Sequence, residues 1–542
     1  MKQDPQPQQN AGDSGFAGGL PSGSLPEQTE NRLAGGSASG PQFWRSLDEY
    51  AGKPEFREMV EREFPRQAMG WSDDEDPVEG RRNFLKLMGA SLALAGMTGC
   101  TREPTQHIVP YVRQPEELIP GRPLFYATAM PLSGLAQGLI VESHEGRPTK
   151  VEGNPEHPAT LGACDSYSQG SVLGLYDPDR MQSLTFNDEV RSWGGFFGAL
   201  REALAQQGTK GGAGLRILTE TVTSPTMAAQ MAAIQKLYPQ AKWHQWEPAG
   251  AHSARAGAAM AFGAPVNTYY NVANANVIVA LDADFLSMGP ASFRYAREFA
   301  ARRRVREGGP KTMNRLYVVE PTPTPTGTKA DHRLPLRAGD VEEFAWALAG
   351  AVGAAKAPTQ GENNDIYKWI GPIARDLQRN AGACLVIPGD QQSPTVHMLA
   401  HVMNQALGNV GKTVFYTDPV EANPVDQVAS IQDLAKDLSA GAVDLLLIIG
   451  GNPAFNAPVE LGFADQIKKA RVRAHLSLYN DETTVCCQWH LPAAHYLESW
   501  GDTRAFDGTA SIIQPLIAPL YNGRSEWEVV QMLTDTPLMG GQ

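Results

Sequence analysis

A series of short, wholly apolar runs most limits what this chain can fold into. Val277-Ile278-Val279-Ala280-Leu281 ends in Asp282. Leu316-Tyr317-Val318-Val319-Glu320, Leu385-Val386-Ile387 and Leu445-Leu446-Leu447-Ile448-Ile449 repeat the pattern, each ahead of turn-forming residues. A strand with one wet face alternates polar and apolar residues. A run without alternation is covered on both faces, as in a parallel sheet packed between helices. Helical stretches are interleaved with these runs. Trp193–Gln207 is read as a helix and Leu215-Arg216-Ile217-Leu218 as a strand. Ser224 is read as an N-cap with Pro225 at the first helical position, the helix running to about Leu237. A helix over Ser393–Leu407 and a strand at Val414-Phe415-Tyr416 continue the series. Strands alternating with helices predict right-handed βαβ units and an α/β fold with doubly wound, mostly parallel sheets. A gap in the series divides it into two α/β subdomains, 190–350 and 351–542.

Residues 101–189 read differently, as a small β-rich domain that begins with an extended, Pro-rich passage. Leu139–Ser143 and Pro148–Glu152 flank His144-Glu145-Gly146-Arg147, which predicts a β-hairpin. Gly153-Asn154-Pro155-Glu156-His157-Pro158 breaks the strand into a loop. At the other extreme, residues 1–40 are rich in Gln, Pro, Gly and Ser. They hold too little apolar surface to offset the entropy of ordering, so disorder is expected. Residues 41–79 predict two short amphipathic helices in a cytoplasmic leader, one carrying Phe43, Trp44, Leu47 and Tyr50, the other Met59, Val60 and Phe64.

Residues 80–100 form the strongest motif. Arg81-Arg82-Asn83-Phe84-Leu85-Lys86 leads into an uncharged run from Leu87 to Gly99, which ends at Cys100. A spanning helix needs about 20 apolar residues, and this run is too short. Its order is that of a twin-arginine export signal closed by a lipoprotein cleavage site. Arg81 and Arg82 are therefore the expected signal residues and Cys100 the expected lipid attachment. The expected location is the periplasmic face of a bacterial inner membrane, reached by the twin-arginine route and held by a lipid anchor.

Composition narrows function by exclusion. The 542 residues carry a net charge of −13, with 42% hydrophobic and 19% charged residues. That balance argues against nucleic acid, whose phosphates need a basic surface. The five cysteines are Cys100, Cys164, Cys384, Cys486 and Cys487. No CxxC occurs among them, and an iron–sulfur cluster needs about four gathered thiolates, so none is expected on this chain. Cys486, Cys487, His490 and His495 are the one soft-ligand grouping. However, Val485–Leu491 reads as a buried strand, in which a cysteine acts as a small apolar side chain. In open parallel sheets, ligands sit off the carboxyl ends of strands. The candidate loops are Asp282-Ala283-Asp284, Glu320-Pro321-Thr322, Pro388-Gly389-Asp390 and Gly450-Gly451-Asn452-Pro453. The last either offers backbone N–H groups to a phosphate or is a tight turn leaving the sheet. No Walker pattern, GxGxxG or Gly-x-Ser-x-Gly supports a nucleotidase or hydrolase.

Several of these segments resemble the molybdopterin oxidoreductases. Gly146–Pro158 and Leu175-Tyr176-Asp177-Pro178-Asp179-Arg180 are similar to that family's early region. Gly450-Gly451-Asn452-Pro453, Glu482-Thr483-Thr484, Leu491-Pro492-Ala493-Ala494 and Leu497-Glu498-Ser499-Trp500-Gly501 are similar to its later cofactor-side loops. Phe43–Tyr50, the delayed signal, Tyr111–Glu117 and Gln514–Leu520 resemble the exported molybdopterin-oxidoreductase-like B subunits of alternative complex III, a quinol-oxidising respiratory complex. The departures are specific. Catalytic relatives place four cluster cysteines before the hairpin, and here none lies between Cys100 and Cys164. Glu320-Pro321-Thr322 stands where the family's nucleotide-contacting Asp-Pro-Arg is expected. The resemblance thus implies a scaffold-like subunit with no catalytic, cofactor-binding or metal residues of its own. Iron–sulfur clusters and haem are expected on partner chains: an iron–sulfur, ferredoxin-like chain and integral membrane quinol-binding subunits. The family's ferredoxin-like half and closing barrel domain would follow beyond Gln542, which implies a split gene or a fragment. Two alternatives stay open: a molybdopterin-dependent oxidoreductase subunit active with an iron–sulfur partner, and an exported lipoprotein that binds a small ligand.

Overall fold

The computed structural model describes residues 118–305, 312–356 and 364–534, together with Pro54. The two leader helices, Arg81, Arg82 and Cys100 lie outside the described residues. The elements from Leu124 onward belong to one unit, Gln114–Gln542.

The β-rich part begins with a three-stranded antiparallel meander, Leu124–Leu132, Leu135–His144 and Arg147–Gly153. Both connections are two-residue turns. Ser133 and Gly134 have φ of 48° and 75°, and Glu145 and Gly146 have 51° and 81°. Positive φ at both positions is the hairpin geometry whose twist matches the flanking strands. Two strands from the far end of the chain, Gly501–Arg504 and Ala510–Ile513, complete this five-stranded sheet, with Arg504 paired to Leu135.

The apolar runs build two further sheets. In the larger, seven-stranded sheet the order is Glu189–Val190, Thr185–Phe186, Trp489–Pro492, Val472–Ser477, Leu445–Ile449, Leu215–Thr219 and Lys242–Gln245. Its last five strands are parallel, and the first two form an antiparallel edge. The smaller sheet is parallel throughout, in the order His332–Pro335, Arg315–Glu320, Val277–Leu281 and Cys384–Pro388. Each sheet is covered on both faces. Helices Val341–Ala351 and Pro394–Ala406 bury Phe344, Leu348, Leu399 and Met403 on one face of the smaller sheet. Helix Ser292–Arg303 buries Tyr295 and Phe299 on the other. Helices Trp193–Gly208 and Pro225–Leu237 place Phe196, Leu200, Met227 and Ile234 under the larger sheet. Gln427–Ser439 covers the opposite face with Ile431, Leu434 and Leu438. Ser224 caps Pro225–Leu237 by accepting from the Met227 N–H, as its sequence position predicts. This is the doubly wound α/β architecture expected from the runs.

Three details differ from the sequence reading. The two sheets are not built from contiguous stretches: Leu215–Thr219 pairs with Leu445–Ile449, and Val277–Leu281 pairs with Cys384–Pro388. A boundary at 350 therefore does not separate them. Each run declares itself a doubly covered strand, but nothing local specifies which sheet it joins. The expected strand Val485–Leu491 is also a correction. Glu482–Cys486 is a short helix, capped by the Asp481 carboxylate, which accepts from the Thr484 N–H, and the strand is Trp489–Pro492. Val414–Thr417 is a strand, but it pairs antiparallel with Asn267–Tyr270 in a separate ribbon.

Candidate functional site

The carboxyl ends of the parallel strands are where a ligand would sit, and the glycine loop is the foremost candidate. Strand Leu445–Ile449 runs into Gly450 and Gly451, with φ of 67° and 66°. Only glycine holds that left-handed conformation cheaply at consecutive positions. The adjacent strand Leu215–Thr219 ends one residue before Glu220. That side chain lies directly over the glycines: a Cβ added at Gly450 would stand 3.0 Å from Glu220 Oε2, and one at Gly451 would stand 3.1 Å from Glu220 Cγ. Trp246, Asn452 and Asn456 complete a shallow cleft, with the Trp246 Nε1–H donating to Asn456 Oδ1 at 2.9 Å. Asn452 ties the loop to the next element. Its amide donates to Glu482 Oε2 at 2.6 Å, and its Oδ1 accepts from the Thr483 hydroxyl at 2.8 Å. Buried His475 bonds the Gly451 carbonyl at 3.1 Å and Thr484 Oγ1 at 2.8 Å. Two motifs separated by 30 residues in sequence are thereby one structural unit.

The electrostatics of this cleft are acidic. Burial, followed by the neighbouring Glu247 and Glu526, pushes the Glu220 carboxyl up to about 8, and the Gly451 N–H partly offsets that rise. Glu220 remains exposed through the cleft mouth, so solvent screening keeps the energetic weight of the shift small. Burial raises Glu526 to about 7 and also raises Glu247, the Thr221 backbone and the charge of Arg255 partly offsetting the latter.

A nucleotide-bearing pterin does not fit these residues. Its phosphates would need the loop's N–H groups, and the Glu220 side chain already lies over both glycines.

The loops off the smaller sheet are closed in the same manner. Glu320, fully buried, accepts from the Thr324 hydroxyl at 2.7 Å and from Arg333 Nε at 2.5 Å. The loop Pro321–Gly327 wraps this carboxylate so closely that a Cβ on Gly327 would lie 1.8 Å from Glu320 Oε1. Asp284 Oδ1 accepts from the Thr326 N–H at 2.9 Å and its hydroxyl at 2.6 Å. Asp282, at φ 55°, accepts from the Gln392 amide at 2.7 Å. A Cβ on Gly389 would lie 1.9 Å from the Asp282 carbonyl oxygen.

The remaining motif residues serve the fold. Arg180 and Glu498, 2% and 1% exposed, form a bidentate pair with Nη2–Oε2 at 2.7 Å and Nη1–Oε1 at 3.1 Å. Arg180 also donates to the Leu175 carbonyl, and Glu498 accepts from the His495 and Leu520 N–H groups. The Tyr479 hydroxyl donates to Asp177 at 3.0 Å. His157 stacks under Gly138 and bonds Ser511 Oγ at 2.9 Å, locking the loop to the last strand of the first sheet. Burial pushes Cys164 and Cys384 up to about 11 and raises Cys486 and Cys487 as well, so these thiols are held protonated. His490 bonds the Cys487 carbonyl rather than facing its sulfur. One grouping escaped the sequence reading: His244, Asp433 and Asp437 converge within 4.8 Å. Lys242 bonds both aspartates at 2.8 Å and Arg216 bonds Asp437 at 2.7 Å, so the carboxylates are already neutralised. The pairing of a Lys-x-His strand edge with aspartates four residues apart on a helix was the available signal. Among the described residues, no helix is long and apolar enough to cross a membrane.

Comparison with known proteins agrees with this architecture. No protein-family model matches the chain. The menaquinone reductase, molybdopterin-binding-like subunit of Nitratidesulfovibrio vulgaris (strain Hildenborough) is 24% identical over 487 residues, covering 82% of this chain and 70% of that protein. Among solved structures, acetylene hydratase from Pelobacter acetylenicus superposes with a TM-score of 0.56 at 13% identity, over 75% of this chain and 68% of that one. The chain thus shares the fold of acetylene hydratase, and its similarity to a molybdopterin-binding-like subunit agrees with the resemblance read from the motifs.

Proposed function

We propose that this chain is a non-catalytic, scaffold-like subunit of a membrane-bound quinol:electron-acceptor oxidoreductase of the alternative complex III type. It keeps the molybdopterin-oxidoreductase fold and uses it to hold partners. The observation that carries this reading is Glu220, whose side chain lies over both glycines of the loop, where a cofactor phosphate would have to sit. Closure of the second sheet's loops on Glu320 and Asp284 supports it. So does the relative, which is named for a molybdopterin-binding-like subunit of a menaquinone reductase.

In this reading the chain is exported by Arg81-Arg82, is anchored through lipid on Cys100, and faces the periplasm. Iron–sulfur clusters and haem reside on partner chains, among them a ferredoxin-like subunit and integral quinol-binding subunits. The chain's own residues move no electrons. They present a rigid α/β body whose sheet ends are sealed by internal hydrogen bonds. Purification from the native membrane in mild detergent tests the proposal. The expected result is a multi-subunit complex whose iron lies on other chains. Recovery of the chain alone, without partner subunits, contradicts it.

A further inference from the structure

The carboxyl end of the smaller sheet holds an anion supplied by the chain itself. Strand Arg315–Glu320 ends on Glu320, which is 1% exposed. Both oxygens of its carboxylate are taken by donors from outside its strand. Oε1 accepts from the Thr324 N–H at 3.3 Å and from Arg333 Nε at 2.5 Å, and Oε2 accepts from the Thr324 hydroxyl at 2.7 Å. A backbone N–H, a hydroxyl and a guanidinium around one anion are the donors with which proteins hold free carboxylates and phosphates.

The surroundings are shaped for that occupant. A Cβ on Gly327 would lie 1.8 Å from Glu320 Oε1 and 2.5 Å from Cδ, so only glycine lets the loop close over the carboxylate. The Gly327 N–H donates to the Thr324 hydroxyl at 3.0 Å, which leaves the hydroxyl proton for Glu320. Arg333 arrives from the adjacent parallel strand His332–Pro335, in register with Val318. The strand on the other side acts alike: Asp284, just beyond Val277–Leu281, takes the Thr326 N–H at 2.9 Å. Two N–H groups of one loop thus meet carboxylates sent by two neighbouring strands. In open α/β sheets that is where a loop meets its ligand.

We propose that Glu320 is a built-in ligand: its carboxylate occupies an oxyanion seat made by Thr324 and Arg333, and so keeps external carboxylates and phosphates from this end of the sheet. The proposal rests on the scaffold reading for its role, a sheet end kept free of ligand, while the seat is a property of this chain alone. It is tested by melting the full chain in sodium formate against equimolar sodium chloride. Glu320→Ala removes the heavy atoms of an acetate ion and leaves the donors in place, so the smaller formate enters. Formate should raise the folded-to-unfolded ratio of Glu320→Ala at least about fivefold over chloride, as a ligand bound only by the folded state does. Wild type should respond equally to the two salts, and uncharged formamide should not replace formate. Adding Arg333→Met to Glu320→Ala should abolish the response, which a merely structural role for Arg333 would not do. If Glu320→Ala does not fold unaided, its refolding yield in formate against chloride gives the same readout. A variant indifferent to formate overturns the proposal, as does a wild type that formate stabilises as strongly as the variant. Either result leaves the co-purification of partners, and with it the scaffold reading, standing. Recovery of the wild-type chain without partners counts against that reading and leaves the seat in place.

Discussion

Breaking the Arg180–Glu498 pair should expose how the two ends of the chain are joined. The pair bridges 318 positions and is almost fully buried. Glu498→Gln keeps the shape but removes the charge, leaving the Arg180 guanidinium buried without its counter-ion. Such a loss costs about 3–5 kcal/mol, a large part of the roughly 5–15 kcal/mol by which domains are stable. The unit from Gln114 to Gln542 spans about 430 residues. At about 2.1 cal/mol/K per residue, its unfolding entropy is about 0.9 kcal/mol/K, so the midpoint should fall by roughly 3–6 °C. Calorimetry of the wild type, Glu498→Gln, Arg180→Met and the double variant measures it. The double variant should lose less than the two single losses added, because it carries no orphaned charge. Burial pushes Glu498 up, but Arg180 and the Leu520 and His495 N–H groups together hold it below the ordinary carboxylate value. Its contribution is therefore present above about pH 4.5 and is lost as pH falls through the lowered value. A Glu498→Gln midpoint within 1 °C of wild type, or strict additivity, would refute this reasoning.

Other perturbations follow from the same structure. Burial holds His244, His397, His401 and His495 at about 4. The unfolded chain binds these protons from about pH 6.5 downward and the folded chain does not, so stability should fall between pH 6.5 and 4, by at most about 3 kcal/mol per group. His397→Gln should flatten that profile in a pH series of denaturant titrations, and an unchanged slope contradicts it. Gly138→Ala should destabilise measurably, because its Cβ would lie 2.1 Å from the His157 ring; a melting curve like wild type's would count against that packing. Glu220→Gln should raise the midpoint slightly at pH 8–9 and not at pH 4, because the folded carboxyl sits above its unfolded value and its charge is what the cleft penalises. A midpoint lowered at high pH would mean that the charge is wanted.

Much of the fold is readable before any coordinates. Val277–Leu281 and Leu445–Ile449 are buried parallel strands because no residue in them needs water. Ser224-Pro225 starts a helix because its cap and first turn are chemically specified. The Glu145-Gly146 turn likewise declares its hairpin. What is not readable is long-range. Equally apolar runs give no local sign that Cys384–Pro388 joins the strand at Val277, since partner choice depends on the crossover path. Val485 and Cys486 look like strand residues, yet Asp481 nucleates a helical turn there. The glycine loop is legible as a loop but not as a closed one. Its occupant, Glu220, comes from a strand more than two hundred residues earlier and carries no motif of its own.

The account turns on whether the glycine loop holds a cofactor. The most direct measurement is molybdenum and released pterin on this chain, separated from its native complex under non-denaturing conditions. The sealed loops predict neither metal nor pterin in stoichiometric amount, with the chain still folded and still partner-competent. One molybdenum or one pterin nucleotide per chain would mean that Glu220 yields its seat to phosphate, and the scaffold reading would be wrong.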